Sequence, residues 1–324
     1  MFCNNKYKQI GGVKTLFDRN DTEIIRGVSM LMIIIHHTAN YLYYQHPDEA
    51  TCMLPIYFTQ QLGYLGTGLF FFLSGYGMIC SLRHNRVDRS YIKKKCNSIF
   101  LPFVLSWIVF LTFLFVFDRN LLQADLWLKF ISLSTPNGIL WFYNVIVALY
   151  IIVLLLFRFS KNEKLNIAIV FSLTLAYIPI ANCAGLSSWW YNSILCFPIG
   201  MVCAVYKFII EKYAFRIVIV STAGFVVLYM FIECLRYPVL FQIVLAPLLA
   251  IAVSTIVKYL PPLKNRFISF VGNKSLYFYL LHSWVYTYIT FTYNFILLSV
   301  ETIVITSFIV LMLIRLKTLC RKYL

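Results

Sequence analysis

The first apolar run of the chain reads Arg26-Gly-Val-Ser-Met-Leu-Met-Ile-Ile-Ile-His36-His37, and it decides the class of fold. The run belongs to the longer apolar stretch 24–44, whose length and lack of alternation predict a membrane helix rather than a barrel strand. Arg26 and His37 are eleven residues apart, so at about 100° per residue they return to one face, offset by roughly 20°. The rise between them is about 16 Å, so an Arg26 at the surface puts His37 near the middle of the bilayer. An ionisable side chain at that depth is costly to bury and indicates a functional site.

The composition of the whole chain agrees with a membrane protein. It has 324 residues, of which 61% are hydrophobic and 12% charged, and its mean hydropathy is +0.79. These values exclude a soluble globular domain of this size. We therefore predict an all-α polytopic membrane protein with about ten transmembrane helices and one membrane domain, 24–318, between a basic tail, 1–23, and a short tail, 319–324. The predicted spans are 24–44, 61–82, 97–117, 139–157, 165–181, 191–209, 216–235, 239–258, 273–292 and 298–316.

The positive charge is arranged by side of the membrane. The net charge is +16, and alternate segments between the predicted spans hold 25 of the 28 Lys and Arg residues. The positive-inside rule then predicts that both termini lie in the cytoplasm. This pattern favours contact with membrane lipid over binding of nucleic acid, which we do not expect as a partner. The chain is predicted to be a multi-pass protein of the cell (inner or plasma) membrane.

Two predicted helices carry polar stripes. Asn40 lies within about 40° of Arg26 on the first helix, and on the ninth Ser275, Tyr279 and His282 follow one another at helical spacing. Both helices are predicted to run outward from the cytoplasm, which puts His37 and His282 at similar depth. Two imidazoles there suit a general base and a polar partner. The alternative is that these side chains only join helices by hydrogen bonds.

Two further features leave their role open. The second helix contains Ser74-Gly75 in a glycine-rich span, where glycines serve close helix packing or expose polar groups to a ligand. The most basic segment contains Arg83, Arg86, Arg89 and the run Lys93-Lys94-Lys95. It is either ordinary cytoplasmic charge or a site for the phosphates of an anionic cofactor. No metal-binding spacing is present, and no metal is predicted.

Six motifs follow one another along the chain. They are Arg26-x10-His37, Gly66-Thr-Gly-Leu-Phe-Phe-Phe-Leu-Ser74-Gly75-Tyr, the basic loop Tyr91 to Pro102, Leu140-Trp141-Phe142 through Tyr150, Phe197-Pro198-Ile-Gly200, and Ser275-Leu-Tyr-Phe-Tyr279-Leu-Leu-His282. In this order they resemble acyltransferase family 3, the integral-membrane O-acyltransferases. The resemblance covers nearly the whole chain.

The resemblance implies transfer of an acyl group, usually acetyl, from cytoplasmic acyl-CoA to a sugar hydroxyl. It implies that His37 is the catalytic histidine and that Arg26 meets the CoA phosphates or holds the site. It also implies that the basic loop helps to bind acetyl-CoA, the donor, through Arg89, Lys93, Lys94 and Lys95. The chain departs from the family in using lysines where arginine is common, and in having Ile146 where many members carry a glutamate.

The resulting hypothesis is an O-acyltransferase whose acceptor is a cell-surface polysaccharide or its lipid-linked precursor. His37 and Arg26 are the predicted catalytic centre together with His282, while Ser74, Asn40, Ser275 and Tyr279 orient the substrates. The alternatives are a transporter or flippase of a lipid-linked sugar, which uses the polar stripes without a covalent step, and a membrane scaffold without activity.

Overall fold

The computed structural model describes residues 17–54, 56–118, 141–231, 238–257 and 265–323. Within these ranges the regular structure is helical apart from one isolated backbone bridge, as the sequence predicts. We number the α-helices of the described ranges α1 (Arg19–Gln45), α2 (Ile56–His84), α3 (Arg89–Phe113), α4 (Trp141–Phe159), α5 (Glu163–Cys183), α6 (Cys196–Val205), α7 (Lys207–Lys212), α8 (Ala214–Phe231), α9 (Pro238–Val257), α10 (Arg266–Asn273), α11 (Ser275–Tyr288) and α12 (Phe295–Tyr323). A π-helical turn, Leu114–Asp118, extends α3, and a 3-10 helix covers Ser188–Trp190.

Six helices of the described part are long and apolar enough to cross a membrane, in the regions of α2, α3, α4, α5, α9 and α12. The chain is thus a multi-pass membrane protein, while the prediction of ten spans stays unconfirmed. α6 and α11 have 10 and 14 residues, and at about 1.5 Å per residue both are shorter than the roughly 30 Å of a hydrocarbon core. α1 has 27 residues, but its imidazole, amide and hydroxyl side chains lower its hydropathy.

One predicted span is interrupted in the structure. The sequence predicts a continuous helix over 191–209, whereas residues 191–195 form turns and α6 begins only at Cys196. Pro198 is the third residue of α6, where a missing backbone N–H costs little because the first N–H groups of a helix have no partner within it. The helix ends again at Val205, and the short α7 follows after Tyr206.

The last long helix shows how the membrane fold divides its surfaces. Val300, Val304 and Phe308 recur every four residues on α12 and are 52%, 59% and 63% exposed. Thr302 and Thr306, on another face of the same helix, are fully buried. An exposed apolar stripe beside a buried hydroxyl stripe is typical of a helix that faces lipid outward and other helices inward.

The described residues fall into two compact units. The first comprises the described parts of Met1–Ser29, Tyr64–Lys94 and Val145–Gly272, and the second those of Met30–Gly63, Lys95–Asn144 and Asn273–Leu324. Arg26 and Ser74 therefore belong to the first unit, whereas His37 and His282 belong to the second.

In the first unit, glycines allow helices to touch backbone to backbone. A Cβ added to Gly75 of α2 would collide with the Phe197 carbonyl of α6, and a Cβ added to Gly200 of α6 would collide with the Phe72 carbonyl of α2. The two glycines thus make one reciprocal crossing. The sequence leaves open whether the glycines of this motif pack helices or expose groups to a ligand. At Gly75 the structure shows helix packing.

In the second unit, hydroxyl and aromatic side chains join the helices. Thr38 of α1 and Ser299 of α12 share a buried hydrogen bond of 2.8 Å. Phe110 of α3 stacks on Trp284 of α11 with ring centroids 4.0 Å apart. These contacts pack α1 against α12 and α11 against α3, and so they help to set the frame in which His37 and His282 lie.

Candidate functional site

Three histidines come together in the second unit. The ring of His37 on α1 lies 5.2 Å from the ring of His282 on α11, measured between centroids. The ring of His36 lies 4.9 Å from that of His37 on its other side. His37 is half-buried and His282 is fully buried. The sequence predicted His37 and His282 at similar depth, and their proximity in the structure agrees with that prediction.

The hydrogen bonds of His36 occupy both of its ring nitrogens. Its Nδ1 lies 3.0 Å from the carbonyl oxygen of Thr59. A carbonyl only accepts, so Nδ1 carries the proton, and Nε2 accepts from the Asn40 amide nitrogen at 3.2 Å. Gly63 of α2 leaves room for the ring, because a Cβ there would lie 2.5 Å from His36 Cδ2. Asn40, predicted to orient substrate, thus holds His36.

The hydrogen bonds of His282 leave one nitrogen unpaired. Its Nδ1 lies 3.0 Å from the Phe278 carbonyl oxygen and 2.9 Å from that of Tyr279. Nδ1 therefore donates to both carbonyls, which leaves Nε2 as the lone-pair nitrogen. This Nε2 is buried and has no hydrogen-bond partner among the described residues. Buried polar atoms are nearly always satisfied, so an exception at a candidate active site is informative.

The other predicted residues of α11 differ in their distance from the histidines. The ring of Tyr279 is buried, 6.1 Å from the His282 ring and 5.4 Å from the Phe142 ring. Its hydroxyl is hydrogen-bonded to the backbone of Phe142 at the start of α4. Ser275 is the first residue of α11 and lies seven residues before His282, which is about 10 Å along the helix. The structure thus brings Tyr279 beside His282 and leaves Ser275 at the helix end.

A second aromatic cluster, missed in the sequence, extends from Tyr286 on the same stripe of α11. The ring of Tyr41 lies 5.1 Å from that of Tyr286, and the Tyr41 hydroxyl lies 3.0 Å from His46 Nε2. The His46 ring packs 4.6 Å from Tyr293. The spacing of Tyr286 on the stripe is the only signal for this cluster in the sequence, because Tyr41 comes from α1 and the loops bring in His46 and Tyr293.

In the first unit, Arg26 is half-buried where α1 meets α10. The side chains of Glu23 and Tyr150 lie near its guanidinium. A Cβ added to the adjacent Gly27 would collide with the Ile268 carbonyl of α10, so the two backbones are in contact there. Ser74 is half-buried on α2, next to the glycine crossing described above. Arg26 and Ser74 thus belong to a different compact unit from His37.

The basic segment divides into two parts with different partners. Arg83 makes a two-pronged ion pair with Glu163, at 2.8 and 2.6 Å, and donates to the Ala204 carbonyl at 3.1 Å. It joins the ends of α2, α5 and α6 and is thereby occupied. Arg89, Lys93 and Lys94 are exposed in the first turns of α3, and Lys95, in the second unit, is half-buried.

The exposed basic residues surround the start of a long helix. Asp88 caps α3, since its carboxylate accepts from the Tyr91 backbone N–H at 2.7 Å. The positive end of the helix dipole adds to the charges of Arg89, Lys93 and Lys94, so this end of α3 attracts anions. In the described part of the chain, no group of three or more His, Cys, Asp or Glu side chains is arranged to hold a metal ion.

Comparison with protein families gives one match. The model of acyltransferase family 3, described as an acyltransferase domain, matches residues 19–316 of the chain. No curated protein and no solved structure is similar enough to count as a match. The matched range runs from the first residue of α1 into α12, so it includes every candidate residue described above.

Proposed function

Since the chain belongs to acyltransferase family 3, we propose that this multi-pass membrane acyltransferase moves an acetyl group from cytoplasmic acetyl-CoA to a hydroxyl of a carbohydrate. The acceptor is a cell-surface polysaccharide or its lipid-linked precursor, and the enzyme works in the inner or plasma membrane. The positive charge predicted on the cytoplasmic side supports an anionic donor there. The imidazoles within the helices support a transfer step inside the membrane.

The contact between His37 and His282 carries the proposal. Two imidazoles with ring centroids 5.2 Å apart lie among buried helices, and one of them presents an unpaired nitrogen. Burying polar rings in a membrane protein costs free energy that packing alone does not require. An acyl transfer needs such a group, because the acceptor hydroxyl must lose its proton as it attacks.

The proposed reaction moves one proton through His37 and one acyl group from sulfur to oxygen. A ring nitrogen of His37 takes the proton of the acceptor hydroxyl while the oxygen attacks the thioester carbonyl carbon. The carbon–sulfur bond then breaks, and the CoA thiolate receives the proton from His37. The products are an ester and free CoA, and His37 returns to its neutral form. Proton transfer by a placed base contributes about 10²–10⁴-fold to the rate.

The donor is proposed to bind through its phosphates. Arg89, Lys93, Lys94 and Lys95 in the first turns of α3, together with Arg26 of α1, are the side chains proposed for this role. Arginine grips a phosphate with a planar fork, whereas lysine acts as a point charge. We assign no donor contact to Arg83, because Glu163 and the Ala204 carbonyl already use its guanidinium.

Analysis of the surface carbohydrate tests this proposal in the living cell. Mass and NMR spectra of the polysaccharide are compared between cells with the wild-type chain, with His37→Ala and with His84→Asn as the control. His84 is exposed at the end of α2. We expect acetyl esters with the wild type and the control, and none with His37→Ala at equal membrane abundance. A different pair of results would instead favour the flippase: no acetyl esters on the polysaccharide of wild-type cells, and no polysaccharide at the surface of His37→Ala cells.

A further inference from the structure

The three histidines differ in which ring nitrogens are available to a partner. A neutral imidazole has one donor and one acceptor nitrogen. His36 uses both, on Thr59 and Asn40. His282 uses only its donor, on the carbonyls of Phe278 and Tyr279. For His37, which lies between these two rings, the structure shows ring contacts with both.

Of the acceptor nitrogens on the two rings that flank His37, Nε2 of His282 is therefore the one that no described residue occupies. Leaving a buried acceptor without a partner costs free energy, so a partner in the working enzyme is favoured. Tyr279 lies close as well, but its hydroxyl oxygen meets the Phe142 backbone and makes no hydrogen bond to this Nε2. His36 cannot supply the partner, because its single ring proton is directed at Thr59.

The distance between the rings matches a direct contact. A ring nitrogen lies about 1 Å from the ring centre, and a hydrogen bond spans about 3 Å, so two imidazoles joined edge to edge have centres about 5 Å apart. The observed separation of His37 and His282 is 5.2 Å. If a substrate oxygen bridged the two rings in line, their centres would lie about 3 Å farther apart, so the observed separation fits the direct bond. Reorientation of the His37 ring alone completes the bond, and catalytic hydrogen bonds often tighten only when substrate binds.

We propose that His37 donates its ring N–H to Nε2 of His282, so that His282 is a positioning residue that acts through His37. This inference rests on the proposed function and refines the part of His282 in it. The bond fixes the tautomer of His37 whose other nitrogen faces the acceptor hydroxyl. When that nitrogen takes the proton, the imidazolium keeps its hydrogen bond to His282, and the bond strengthens because its donor is now charged.

The backbone contacts of His282 prepare it for this role. Two helix carbonyls accept from Nδ1–H, which orients the ring and increases the electron density at Nε2, as hydrogen-bond acceptors do for metal-bound histidines. A neutral imidazole thus takes the place that a carboxylate occupies in many nucleophile–base–orienter arrangements. In a lipid environment a neutral partner is cheaper to bury than a carboxylate.

Two substitutions at His282 separate its two nitrogens. In His282→Gln the side-chain oxygen reaches the position of Nε2 and keeps the acceptor for His37. In His282→Asn the amide reaches only the position of Nδ1 and keeps the backbone bonds, but loses that acceptor. We expect kcat of the Asn variant to fall about 10²-fold, while the KM for the donor and the KM for the acceptor stay within about two-fold of wild type. The Gln variant should retain at least about ten times the kcat of the Asn variant, and the control His84→Asn should be unchanged.

Equal losses in the two variants would overturn the assignment. So would an acceptor KM that rises at constant kcat, because that pattern means His282 binds the acceptor itself. A measurement on wild type avoids any folding defect of the variants: in protein labelled with ¹⁵N-histidine, an N–H···N bond gives a coupling between a His37 and a His282 nitrogen. Its presence supports the pair and its absence refutes it. If the wild-type protein does not turn over acetyl-CoA, the proposed function is refuted, whatever the result for the His37–His282 bond.

Discussion

Gly63→Ala is expected to disturb the histidine cluster from outside it. A Cβ at Gly63 would lie 2.5 Å from Cδ2 of His36 and 2.7 Å from its Cγ and Nε2. Carbon atoms pack at about 3.5–4.0 Å, so the ring has to retreat by about 1 Å. That movement breaks the bonds to Thr59 and Asn40, now 3.0 and 3.2 Å.

The magnitude follows from these contacts. A side-chain hydrogen bond between membrane helices contributes about 0.6 kcal/mol on average, and overpacking a filled site costs about 1–3 kcal/mol. We therefore expect Gly63→Ala to lower the free energy of unfolding by about 2–4 kcal/mol. Activity should fall as well, because the displaced His36 ring touches that of His37.

The assay compares unfolding midpoints in detergent with turnover of acetyl-CoA. Gly77→Ala on the same helix is the matched control, since its Cβ would meet nothing within 4 Å; replacing a helical glycine there should raise stability by about 0.5–1 kcal/mol. His36→Ala combined with Gly63→Ala removes the clash, so the double variant should be more stable than the sum of the single losses predicts. If Gly63→Ala is as stable as Gly77→Ala, the described packing around His36 is wrong.

Four further substitutions test the helix crossing and the roles of the arginines. Gly75→Ala and Gly200→Ala should each lower the unfolding midpoint more than Gly77→Ala, and their combination should cost less than the sum, because both separate the same pair of helices; additive losses measured in the same titration would contradict a shared crossing. Arg83→Gln should lower stability by about 0–1 kcal/mol, since the Glu163 pair is partly exposed, and should leave the donor KM unchanged; a raised donor KM in steady-state kinetics would mean that this guanidinium binds donor. Arg26→Lys should raise the donor KM about ten-fold while the acceptor KM stays constant, because lysine lacks the planar fork; an unchanged donor KM would remove Arg26 from donor binding.

The sequence predicts the helical membrane class because lipid permits few alternatives. Backbone groups in a bilayer must be satisfied within the segment, so long apolar runs can only be helices. The same reasoning overestimates helices such as α6, because hydropathy counts apolar residues and does not locate the chain breaks beside them. The turns at 191–195 and the helix start at Cys196 depend on tertiary contacts that a window average omits.

The candidate site was predictable where it lies along single helices. Spacing on α1 and α11 singles out His37 and His282, and helix geometry alone puts each on a polar stripe. The neighbours across helices were not predictable: His36 donates to the Thr59 carbonyl of α2, and Arg83 was grouped with the basic loop although Glu163, 80 residues away, pairs with it. Such contacts arise from packing between elements, which periodicity within one element does not encode.

Turnover by the purified protein tests whether the His37 imidazole catalyses acyl transfer. Wild type and His37→Ala, each in lipid vesicles, are given acetyl-CoA labelled in the acetyl group and a carbohydrate prepared from the surface polysaccharide. We expect wild type to release one free CoA thiol for each labelled ester, and His37→Ala at equal protein to release neither above background. Labelled ester formed by His37→Ala at the wild-type rate would contradict this expectation, since the reaction would then proceed without the imidazole on which the mechanism depends.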